Sequence, residues 1–144
     1  MEISEMMIAN KTDNEGSQAI IAQVNDETFA IDLSSIISIE NINVSEISTV
    51  DQEDVISLRD MIIPLIYLDK LFDIKPSKNE RNHIIVVVCR HDDKCFGFVV
   101  DSLVGQKEII SKSLGVLDGN DFFSGASILE DKLALILDVG SFVA

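Results

Sequence analysis

Isoleucine (21) and valine (13) supply 34 of the 144 residues, against 12 leucines and 7 alanines. Side chains branched at Cβ lose χ1 freedom in a helix and pack well on a pleated surface, so this bias points to an all-β chain. The bias comes in short paired runs. Ala19 to Val24 and Thr28 to Leu33 flank Asn25-Asp26-Glu27; Val55 to Leu58 and Met61 to Ile66 flank Arg59-Asp60. Ile84 to Arg90 and Lys94 to Val100 flank His91-Asp92-Asp93; Phe122 to Leu129 and Lys132 to Leu137 flank Glu130-Asp131. Each set reads as a hairpin. Ile36 to Ile42 and Val104 to Ile110 read as further strands. Leu68, Leu71 and Phe72 fall at helical spacing, which predicts one or two helical turns over Tyr67 to Phe72, and a short helix is expected at the C-terminal end. The runs around His91-Asp92-Asp93 are apolar at consecutive positions, as in strands buried on two sides.

Hydrophobic residues make up 47% of the chain, enough for a core without metal or disulfide support. Residues 1–17 are polar and irregular and are expected to be a flexible lead-in to one domain over 18–144. Lys75 to Asn82, with Pro76 inside, is the clearest break after it. The formal net charge is −14 and the pI about 4.3. A surface this acidic repels phosphate backbones and anionic lipid, which argues against nucleic-acid and membrane-surface partners. No apolar run approaches the length of a membrane span, and the acids in Met1 to Gly16 are wrong for a signal peptide. Two cysteines without a framework fit a reducing, cytoplasmic setting.

Chemistry-bearing patterns are few. His83 and His91 are the two histidines, and nothing near Ser34-Ser35 marks a nucleophile, so an enzyme is not expected. Cys89, His91 and Cys95 crowd into seven residues, but a two-residue turn at Asp92-Asp93 pairs Cys89 with Phe96 and sends the thiols to opposite faces. No metal site is expected there. The seven glycines form no phosphate-binding loop, and no cofactor is implied. Gly97 and Gly125 lie inside strand-like runs, where a bulge or a close backbone approach is expected. Arg59 is one of two bases in the first 60 residues; it reads equally as turn punctuation or as a contact for a partner.

An internal echo runs through the sequence. Val55 to Phe72 returns as Ala126 to Val143 after 71 residues, and Phe29 to Ile36 returns as Phe96 to Leu103 after 67. Two similar β units are predicted, and small sheets hide their edges by closing into barrels.

Four segments taken in order, FAIDLSSI, VISLRDMIIPLIYL, IIVVVCRHDDKCFGFVVDSLVGQKEIISKSLG and FSGASILEDKLALILDV, resemble the CheW-like domain family. That family includes the bacterial chemotaxis coupling protein and the C-terminal regulatory domain of the chemotaxis histidine kinase, and the last two segments resemble the kinase version more. The resemblance implies two intertwined five-stranded, SH3-like β-barrels with one or two short helices. It implies a non-catalytic adaptor that couples chemoreceptor helical tips to the histidine kinase, or else the kinase's own regulatory domain. It also implies receptor contacts at Ile36 and Arg59. Asp60 stands where the family usually has glycine, and Ser38 replaces a glutamate common near the third strand. A small-molecule-binding barrel and a self-associating barrel are the other readings open to the residues alone.

Overall fold

The structure, a computed structural model, describes residues 16–75, 82–111 and 122–142. The lead-in up to residue 15 and most of the Lys75 to Asn82 break lie outside the described residues. Strands form where the β-branched runs lie: β1 (Ser17–Val24), β2 (Glu27–Asp32), β3 (Ile36–Asn43), β4 (Ser48–Val50), β5 (Glu53–Leu58), β6 (Met61–Tyr67), β7 (His83–His91), β8 (Lys94–Val100), β9 (Ser102–Ile109), β10 (Phe123–Leu129) and β11 (Lys132–Leu137). One helical turn, α1 (Leu68–Leu71), follows β6, and 3-10 turns occupy Leu33–Ser35, Val44–Glu46 and Val139–Phe142.

The four expected hairpins are present, each on a two-residue turn: Val24 pairs with Glu27, Leu58 with Met61, His91 with Lys94, and Leu129 with Lys132. The first turn residue has positive φ in all four: Asn25, Arg59, Asp92 and Glu130. Such turns match the right-handed twist of the strands they join. β4 is the strand that sequence reading misses. All three of its residues are exposed, so no hydrophobic alternation marks it.

Two sheets result. One has the order β10-β11-β2-β1-β9, the other β3-β7-β8-β6-β5-β4. The second unit is threaded between the first hairpin and the last three strands of the first. Read with β4 set aside, the two orders are the same, with β1, β2, β9, β10 and β11 answering to β7, β8, β3, β5 and β6. The register repeats as well as the order. Leu65 pairs with Gly97 on parallel strands, and shifting by 71 and back by 67 gives Ile136 with Ala30, which also pair. Ile37 is an extra residue in β3, since Ile36 pairs with Cys89 but Ser38 with Val88. Val104, 67 residues later, is the extra residue in β9, between Leu103 and Gly105. The internal echo is therefore a structural repeat that extends to the bulges at Ile37 and Val104, while the shift beside Gly125 in β10 has no counterpart in the β5–β6 register. In the first barrel the Ile110 amide reaches Ser127 Oγ at 3.4 Å, joining the end of β9 to β10 across the seam.

Alternation on both faces explains the Ile and Val excess. On β7, Val86 and Val88 point into the second barrel with Ile42, Ile56 and Ile63, while Val87 and Cys89 face a central core. On β2, Ala30 lies inside the first barrel with Ala19 and Ile21, while Phe29 and Ile31 face the same central core. That shared core also holds Leu68, Phe96, Phe98, Val100 and Leu137 and joins the barrels into one packed body. Both glycine expectations hold. The register shifts between Phe123 and Gly125, and a Cβ on Gly97 would stand 2.3 Å from Val86 Cγ1.

Candidate docking surfaces

Arg59 and Asp60 form the β5–β6 turn, with φ of 49° and 69°. Both are exposed, and no hydrogen bond or ion pair ties the Arg59 guanidinium to any described residue. The sequence offers no glycine here, so two L-residues occupy left-handed backbone, which costs of order 1 kcal/mol at a residue that lacks glycine's freedom. Asp60→Gly should raise the unfolding free energy by about 0.5–1 kcal/mol, because glycine's larger unfolded-state entropy offsets part of the relief. Urea denaturation measures this, and a loss of stability would contradict it.

Ile36 opens β3 and is half buried, packed on the central core rather than standing free. The register sets the start of β3, the β7–β8 turn and the Arg59 turn at one end of the second sheet. Ser38 points inward, and its Oγ is buried without a hydrogen-bond partner among the described residues.

The bulges and hairpins place large apolar side chains on the outside of each barrel. Ile37 (44% exposed) and Ile62 (61%) stand on the second barrel. Val104 (52%) and Leu133 (59%) occupy the corresponding positions of the first. In the first barrel the exposed Ile128 pairs directly with Leu133 across β10 and β11. Contiguous exposed apolar groups on a globular domain mark surfaces that meet other proteins. Sequence reading misses these residues because the strands that carry them also bury Ile, Leu or Ala, so outward and inward apolar side chains look alike.

The polar patterns stay structural. Asp26, Asp92, Asp93, Glu130 and Asp131 sit on exposed turns. His91 is beside Asp92 at 3.7 Å, on the surface. Cys89 and Phe96 pair as expected, so Cys89 faces the core while Cys95 is partly exposed. Burial pushes the Cys89 thiol up to about 12. A disulfide reagent at mildly alkaline pH should therefore titrate one thiol in the folded chain and two after denaturation; two fast thiols in the native chain would contradict this. The sign for stability follows: the unfolded thiol ionises near 9 and the folded one near 12, so Cys89 contributes stability that is lost as pH rises between those values. Tyr67 donates a 2.5 Å hydrogen bond to Asp54 Oδ2, and burial first, then that bond and the Asp54 and Asp69 charges, hold its hydroxyl well above the usual tyrosine range. Lys70 Nζ lies 4.6 Å over the Tyr67 ring. Among the described residues no group of three or more His, Cys, Asp or Glu is placed to hold a metal, and no helix is long and apolar enough to cross a membrane.

Comparison with known proteins covers nearly the whole described fold. The CheW-like domain matches residues 18–144. Chemotaxis protein CheA of Bacillus subtilis is 37% identical over 126 residues, which is 86% of this chain and 19% of that protein. Sensor histidine kinase CheAY of Helicobacter pylori is 36% identical over 128 residues, 88% of this chain and 16% of that protein. The chain thus spans a fifth or less of the length of these relatives. The crystal structure of the scaffolding protein TtCheW from Thermoanaerobacter tengcongensis superposes with a TM-score of 0.73 at 18% identity, covering 86% of this chain and 85% of that one. This likeness speaks to the fold.

Proposed function

This chain belongs to the CheW-like domain family, and on that footing we propose that it is a non-catalytic chemotaxis module that couples receptor signalling tips to a histidine kinase by docking. The observation that carries this is the set of exposed apolar side chains at corresponding positions of the two barrels, Ile37 and Ile62 on one, Val104 and Leu133 on the other. A module with one sticky face can bind; a module with two, set apart by a rigid shared core, can connect. Arg59 supplies the charged contact. Among the described residues its guanidinium has no hydrogen-bond or ion-pair partner, and it stands on a two-residue turn in a segment that is otherwise strongly acidic. Ile36, half buried at the same end of the sheet, offers its open edge and fixes the strand beneath.

Arg59→Glu is expected to weaken capture by a receptor's cytoplasmic helical hairpin about tenfold or more, the scale of reversing a charge at a docking contact. Its unfolding midpoint should stay within about 0.5 kcal/mol of the parent, since exposed turn charges contribute little to stability. Unchanged capture would remove Arg59 from the contact. A second reading is that the chain acts as the regulatory domain of a kinase. The identity to CheA-type proteins favours it. An ATP-binding module encoded just upstream in frame would decide for it.

A further inference from the structure

The two helical turns that end the repeat units change partners. α1 follows β6 of the second barrel, yet the segment leaving it rests on the first. Phe72 stacks on Phe29 of β2 and Phe123 of β10, with ring centroids 5.7 and 4.9 Å away. Asn25 Nδ2 donates to the Lys75 carbonyl at 2.9 Å. The Val139–Phe142 turn follows β11 of the first barrel, yet it rests on the second. Phe142 packs against Phe96 and Phe98 of β8 at 6.3 and 4.8 Å. Gly140 lies against the ring of His91 on β7, where a Cβ would stand 2.9 Å from His91 Cε1. Each barrel therefore ends in an arm that rests on the other.

The arms meet at Phe122, which lies 5.9 Å from Phe72, edge to face, and 4.8 Å from Phe142. All seven phenylalanines of the chain form one network, and Phe122 is the ring that joins its two halves. Hydrogen bonds tie Phe122 to the second arm. Its carbonyl accepts from the Asp138 amide at 2.7 Å, and Asp138 accepts from the Ser141 amide and hydroxyl, both at 2.9 Å. In the first arm the Phe72 amide reaches the Leu68 carbonyl at 3.0 Å and the Ile74 amide the Asp69 carbonyl at 2.7 Å. Phe29, Phe96 and Phe98 are buried on strands, whereas Phe72, Phe122 and Phe142 are partly buried and stand outside the strands. Segments held by few backbone bonds and half-buried side chains lie at the low end of local stability.

We propose that the two arms form one cooperative unit, opening and closing together through Phe122. Removing either arm takes one of two aromatic neighbours from Phe122, and with it part of the burial that holds the other arm. Losing an aromatic pair shifts an equilibrium about two- to tenfold, and the Asp138 bonds add to this. A state with one arm displaced is therefore disfavoured against the states with both docked or both released. Because the arms are exchanged, release bares the core-facing rings of both barrels at once, Phe29 on one and Phe98 on the other. The unit is separate from the outward apolar faces and from the Arg59 turn.

Native-state hydrogen exchange of the full chain in sub-denaturing urea tests this, read by NMR at the Phe72, Ile74, Asp138 and Ser141 amides. In the parent chain the four should share one urea slope, smaller than that of the β7–β8 ladder, because the slope scales with the surface exposed on opening. Phe142→Leu should accelerate all four by a common factor of about two- to tenfold, and Phe72→Leu should do the same from the other side. In a Phe122→Ala background, Phe142→Leu should accelerate the Asp138 and Ser141 amides alone. The parent slopes decide the matter even where a variant fails to fold. Two different slopes among the four amides, a slope equal to that of the ladder, less than twofold acceleration on the arm opposite the substitution, or a remote effect that survives Phe122→Ala would overturn the proposal. The measurement involves no receptor or kinase, so its outcome is independent of the chemotaxis assignment.

Discussion

Phe98→Ala is expected to lower the free energy of unfolding by about 3–5 kcal/mol and to weaken both barrels together. Phe98 is fully buried on β8 and meets Phe96 and Phe142 edge-on at 5.2 and 4.8 Å. It belongs to the core that β1 and β2 of one barrel share with β7 and β8 of the other. Removing the ring leaves a cavity that a clamped sheet interface cannot collapse into. Because the core is common, the loss should appear in one transition. With no tryptophan and a single tyrosine, Tyr67 fluorescence reports on the second barrel and far-UV circular dichroism on both. Coincident, shifted urea transitions are the expected result. Two separated transitions, or a loss below about 1 kcal/mol, would show that the barrels are only loosely joined.

The second large effect tests the repeat. Gly97→Ala adds one methyl group 2.3 Å from Val86 Cγ1 and 3.5 Å from Leu65 Cδ2, inside a packed barrel. Its backbone is ordinary extended strand, so the difficulty is space. Overpacking of this kind costs about 1–3 kcal/mol. In the first barrel the corresponding pair is Ala30 and Ala19, both fully buried. One barrel fills the site with glycine and valine, the other with two alanines. Gly97→Ala combined with Val86→Ala copies the first barrel's solution and should cost less than the sum of the single changes, with a coupling of about 1 kcal/mol or more in a double-mutant cycle. Strict additivity would mean that the two sites are packed differently despite their matching register.

Much of the fold was legible because the chain's local signals agree. Charged dipeptides between apolar runs gave four hairpins, and the apolar character of consecutive residues gave strands buried on both faces. The same double burial hid the exposed apolar positions. When inward and outward positions are both large and apolar, alternation carries no direction; bulges turn Ile37 and Val104 outward, while Ile62 and Leu133 face outward in regular strand. β4 was silent because Ser48-Thr49-Val50 bury nothing. Arg59 drew attention by its rarity among acids, and its exposure on a turn is what the structure adds; the half-buried packing of Ile36 and the Ser38 hydroxyl left without a partner among the described residues depend on the path of β3 and needed coordinates.

Connection through two faces is tested most directly by sedimentation velocity of the chain mixed with purified receptor signalling hairpins and a chemotaxis histidine kinase. The parent chain should bring all three into one faster-sedimenting species. Ile62→Arg and Leu133→Arg should each break one link and leave smaller partial complexes, with the variants still folded by circular dichroism. A parent chain that sediments at its own mass in the presence of both partners, or arginine variants that assemble as well as the parent, would contradict a connector built on these two faces.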